Sequence, residues 1–253
     1  ATTTAAPSAT TGAAAPAPTG AAAPAPTAPT APTAPTAGLV AQDISPMESG
    51  VFPTADPSLP CTTPQPRATL CPCVQANDDD VEPAPSCKVV DLVPGLAYVA
   101  HGLEASGEAL LVGASGDDWR VLAQLGHADS GANGVDNGWD LTGVRERAIG
   151  GHQVIEISGH QHDVDRDADL VLVKDDDQVT LCVRGGADEP PRCPVQVVVR
   201  ETDLSWTVSP ETGEEGPDRR WSTRRTVVIA ADGMVHVRPA KGSKGPRTDV
   251  RLW

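Results

Sequence analysis

Thr226-Val-Val-Ile-Ala-Ala-Asp-Gly-Met-Val-His-Val-Arg238 is two runs rich in β-branched residues, separated by an Asp-Gly pair at positions 232 and 233. Val, Ile and Thr suit a pleated, half-buried surface, and Asp-Gly accepts the backbone conformation a tight reversal requires, so the stretch predicts a β-hairpin. The same grammar extends upstream. Short Val, Leu and Ile runs punctuated by Gly, Asp and Asn predict strands over 88–93, 96–101, 109–113, 120–125, 141–148, 153–158, 169–174, 178–184, 195–200, 222–230 and 234–238. Further hairpins are expected around 115–118 and 175–177. No window of a dozen residues carries the 3.6-residue apolar spacing of a helix. The fold class is therefore all-β, an antiparallel sandwich or barrel-like domain over residues 87–253, preceded by a disordered Ala/Pro/Thr-rich tail.

Residues 1–38 hold no charged side chain. The octet Thr-Gly-Ala-Ala-Ala-Pro-Ala-Pro occurs from Thr11 and again from Thr19, and Pro-Thr-Ala repeats four times from Pro26 to Ala37. Such a tract cannot bury a core; frequent proline gives it polyproline II character at about 3.1 Å per residue. It reads as a stalk whose threonines offer sites for O-linked sugar. Residues 39–86 form a Pro/Cys-rich connector. The chain begins at Ala1, which suggests that a leader has been removed or that the sequence has been trimmed, and it has no apolar run of the roughly 18–20 residues that span a bilayer.

Six cysteines, an even number, imply disulfides and an oxidising location: secreted, periplasmic or cell-surface. Cys182 closes one apolar run and Cys193 opens the next, so a bridge between them would clamp a long hairpin loop. Cys61, Cys71, Cys73 and Cys87 lack the paired Cys-x2-Cys spacing of common structural zinc sites. Disulfides are expected among these four too, with the pairing open.

The formal charge of −15 lies entirely after the tail and argues against nucleic acid or anionic membrane as partner. The densest polar stretch is Gly159-His-Gln-His-Asp-Val-Asp-Arg-Asp-Ala-Asp169, expected to be a solvated turn. If the preceding strand continues through it, His160 and His162 share one face. With Asp163 or Asp165, and His152 or Glu156 nearby, they form a candidate transition-metal site. A His-x-His-x-Asp-His metallohydrolase run would require aspartate at 164 and histidine at 165, where Val164 and Asp165 stand. For calcium, Asp129, Asn133, Asn137 and Asp140 occupy loop positions 1, 5, 9 and 12 of an EF-hand-like pattern in which Gly131 stands at position 3 and supplies no ligand. The second calcium pattern, Asp163-x-Asp165-x-Asp167, occurs once and lacks its glycine.

No nucleophile elbow, phosphate loop or dinucleotide fingerprint is present in the sequence. The five tryptophans are expected in the core, since a sugar-binding platform would need one or two of them exposed. The reading is an exported, non-catalytic binding or structural protein with no required cofactor, its partner a protein or another cell-surface or extracellular component. The alternatives are a metal-dependent enzyme or zinc- or calcium-binding module, and an acidic inhibitor or adaptor that meets a basic protein through Asp175 to Asp177.

Overall fold

The computed structural model describes residues 49–54, 58–75, 86–101, 106–129, 138–167, 170–186, 189–207 and 219–253. All of them fall in one unit, Ala37–Trp253. The stalk lies outside the described residues.

The domain is all-β and antiparallel. Strand β1 (Val51–Pro53) is followed by β2 (Gln65–Pro66), a single 3-10 turn, and a short helix α1 (Leu70–Gln75). The hairpin strands come next: β3 (Cys87–Val93), β4 (Leu96–His101), β5 (Ser106–Ser115) and β6 (Asp118–Asp129). The long strands are β7 (Gly138–Ile149), β8 (His152–Asp167), β9 (Leu170–Val183) and β10 (Arg192–Thr207). Strands β11 (Arg219–Ile229), β12 (Met234–Pro239) and β13 (Thr248–Arg251) finish the chain. A small sheet runs β2-β6-β5-β4-β3, and a large one runs β13-β12-β11-β10-β9-β8-β7, with β1 added beside β10.

Three apolar layers explain the strand sequences. Between the sheets, Leu96, Ala109, Leu111, Ala123 and Leu125 meet Trp139, Ile155, Ile157 and the Cys182–Cys193 pair. The outer face of the small sheet packs Ala97, Val99, Leu110, Val112 and Val121 under Leu70 and Val74 of α1. The other face of the large sheet collects Val154, Leu181, Val183, Val195 and Val197 with Val235, Val237 and Val250 from its curled end. Ala109 to Val112 are thus all fully buried, because β5 is covered on both faces; a strand in that position becomes a continuous apolar run.

The hairpin at Asp232-Gly233 forms as read, with β11 and β12 paired from Ile229↔Val235 to Arg225↔Pro239 and the Asp232 carboxylate accepting from the Met234 amide at 3.1 Å. So does the reversal between β5 and β6, where Ser115 pairs with Asp118. Two local expectations fail. Asp175 to Asp177 do not turn: they sit in the middle of β9, paired with β8 on one side and β10 on the other. Residues 159–167 are the second half of β8, not a solvated turn. Asp is a turn former when its neighbours are solvent, but here cross-strand partners far away in sequence hold it extended.

The connector also joins the fold. Val51 to Pro53 pair with Val197 to Val195, and the Thr54 hydroxyl donates to the Cys193 carbonyl. Cys61 is bonded to Cys73 and Cys71 to Cys87, so both bridges fasten α1. Proline in its first turn suits a helix start, while the six-residue length explains why no helical periodicity announces it.

Trp139 lies in β7, 6% exposed, wedged between the sheets and edge-on to Tyr98 at 5.8 Å. Its indole fills the space above Gly126 and Gly159, where a Cβ at either position would collide with the ring. Those glycines stand inside strands and exist to let a large ring approach the backbone.

Candidate functional site

Alternation along β8 and β9 sends residues of one parity to each face of the large sheet. Toward the small sheet β8 presents Ile155, Ile157, Gly159, Gln161 and Asp163. On the same face β9 presents Cys182, Thr180, Gln178, Asp176 and Lys174. The facing surface therefore changes along the strands from apolar to polar. Where it becomes polar, the sheets part into a cleft of about 310 Å³, whose lining includes Gln124, His127, Gln161, Lys174, Asp176 and Gln178.

Amides join the walls. Gln161 donates to the His127 carbonyl at 3.0 Å and to Asp163 at 2.6 Å, and its carbonyl accepts from the His127 amide at 3.2 Å. Gln196 donates to the Leu125 carbonyl at 3.1 Å and to Gln178 at 2.7 Å. Thus the end of β6, paired with β5 along one edge, is joined along its other edge to side chains of the large sheet. Gln124, at the mouth, donates to Glu108 at 3.3 Å.

Asp176 is the exceptional group. It is only 5% exposed; one oxygen faces Lys174 at 3.2 Å, while Oδ1 has no hydrogen-bond partner among the described residues. Burial pushes its carboxyl up to about 6, Lys174 opposes the rise, and the nearby negative charges of Glu201 and Asp163 add to it. For Lys174, burial pulls downward, but Asp176 with Glu201 and Asp203 outweighs it and holds the ammonium above the ordinary lysine value. Glu201 is shared with Arg225, at 3.6 Å.

The opposite face of the same strands carries the candidate histidines. His160 and His162 do share it, each with Nδ1 on an aspartate of β9: Asp177 at 2.9 Å and Asp175 at 2.6 Å. Asp140, His160, Asp177 and Arg200 lie opposite one another across four strands, a row that alternates acidic and basic side chains, and Arg200 then faces the like-charged Arg224 on β11. Asp163 points to the cleft, away from the two imidazoles, and Asp165 is exposed opposite Leu172. Among the described residues no three His, Cys, Asp or Glu side chains converge in a way that could hold a metal ion. Of the calcium pattern, Asp129 ends β6 and Asp140 stands in β7, while Asn133 and Asn137 lie outside the described residues. All six cysteines are in disulfides.

The cleft residues Gln124, Gln161, Lys174, Gln178 and Gln196 went unrecognised in the sequence, where Asp176 figures only within the acidic segment Asp175 to Asp177. One signal existed: the period-two series Ile155, Ile157 continues as Gly159, Gln161 and Asp163, turning a core face polar without interrupting the strand. Comparison with protein-family models, curated proteins and solved structures finds no match.

Three disulfides in a β domain fit an oxidising compartment, extracellular or periplasmic. Among the described residues no helix is long and apolar enough to cross a membrane.

Proposed function

We propose that this chain is a secreted or surface-displayed binding module, non-catalytic, in which the stalk gives reach and the cleft between the sheets receives the ligand. The observation that carries the reading is Asp176: a buried carboxylate oxygen without a partner among the described residues, in a cleft whose walls carry hydrogen-bonded glutamines. An unsatisfied buried acceptor costs about 1–3 kcal/mol, a cost that a donor supplied by a ligand removes. Hydrogen bonds from Gln161 and Gln196 already join the two walls, so fewer side chains need be ordered when a ligand binds.

The test uses the full chain. Wild type and the Asp176→Asn, Gln124→Ala double variant are compared for binding to isolated envelope or matrix material from the producing cell. Capture that the double variant retains in full would sink the cleft as the binding site. Stoichiometric zinc or calcium on dialysed chain, abolished by His162→Ala, would favour a metal-dependent role for the outer face instead.

A further inference from the structure

Building on the cleft as the binding site, we infer that its ligand is a neutral, hydroxyl-rich molecule, a mono- or disaccharide or the end of a glycan chain. The charges in the lining oppose one another: Lys174 against Asp163 and Asp176, amid four glutamines. A polyanion would meet two carboxylates. A cationic ligand would meet the Lys174 ammonium, which already sits 3.2 Å from Asp176 and 3.7 Å from Glu201. A sugar hydroxyl suits the mixture because it donates and accepts at once. It can give its proton to Asp176 Oδ1 and accept from a neighbouring amide or ammonium N–H.

Size and apolar surface agree. About 310 Å³ is at the small end of ligand pockets, and Pro53, exposed in the lining, supplies a patch for the C–H face of a sugar ring. Trp139 is enclosed between the sheets, and Trp221, 50% exposed on β11 against the expectation of a core place, is not among the cleft-lining residues, so the cleft has no tryptophan stacking platform. Recognition must then rest on hydroxyl placement, which predicts sharp discrimination between epimers and modest affinity.

The full chain is titrated by saturation-transfer NMR with glucose, galactose, N-acetylglucosamine, cellobiose, maltose and trehalose, and separately with inorganic phosphate and putrescine. The expected result is saturation by at least one saccharide. Its affinity should fall by about tenfold or more in Asp176→Asn, where a neutral amide with one acceptor oxygen replaces the carboxylate, and fall also in Gln124→Ala. Thermal unfolding of both variants verifies that they fold. Binding of phosphate or putrescine in place of every sugar overturns the inference, as does sugar binding indifferent to both substitutions. If no sugar binds while envelope capture still depends on Asp176, the saccharide class falls and the module reading stands. If capture is indifferent as well, both fall.

Discussion

Strands β8 and β9 each pass through two environments on one face. In their first shared half Ile155, Ile157 and Cys182 are sealed against the small sheet; in the second, Gln161, Asp163, Asp176 and Lys174 line an open cleft. The backbone is the same extended ladder throughout, with direct partners from Val154↔Val183 to Asp167↔Leu170. The difference teaches that regular pairing does not require an apolar face. One half supplies the stability that lets the other keep polar groups, including an unpartnered one, at a position where simple burial would favour a hydrocarbon.

That contrast breaks most visibly at Ile155, which is fully buried. Ile155→Ala should lower unfolding stability by about 2–5 kcal/mol, measured by urea denaturation without reductant. Next, replacing both Cys182 and Cys193 with alanine should cost about 3 kcal/mol at the same half of the interface. A near-unchanged midpoint would show that the apolar half does not depend on its covalent clamp.

In the polar half the sign reverses. Asp176 has its carboxyl at about 6 against the ordinary 3.8, so protonation favours the folded chain. This contribution is complete below about pH 4 and disappears as pH rises through about 6. Asp176→Asn should therefore stabilise the protein at pH 7, on the order of 2 kcal/mol, and flatten the pH dependence between 4 and 7. Unfolding at pH 4, 5, 6 and 7 checks it, and destabilisation at pH 7 would mean that the Lys174 pair outweighs burial. The smallest effect belongs to the neighbouring residue on the other face. Asp177 is 39% exposed beside His160 and Arg200, and Asp177→Asn should change stability by less than about 1 kcal/mol.

The legible parts of the fold are those whose signals are local. Leu96 to His101 declared a strand by composition alone, and Asp232-Gly233 declared its turn. The aspartates at 175–177 misled because what keeps them extended lies elsewhere: His162 and His160 on β8 and Arg200 on β10. Likewise β1 is three residues long, and its strand state exists only through its pairing with Val195 to Val197. The cleft was illegible for a related reason. Its glutamines, at 124, 161, 178 and 196, come from four strands and make no motif until the sheets are stacked.

The bond between the Thr54 hydroxyl and the Cys193 carbonyl spans 139 positions of sequence. A nascent chain exposes the segment carrying β1 early, yet the edge it must complete is among the later parts to be made. Closure is consequently deferred until most of the polypeptide has been synthesised, and contacts of such long range are slow to form. If the chain is exported as proposed, that delay has a use: the polypeptide stays threadable while it is moved, and locks where its three bridges can form.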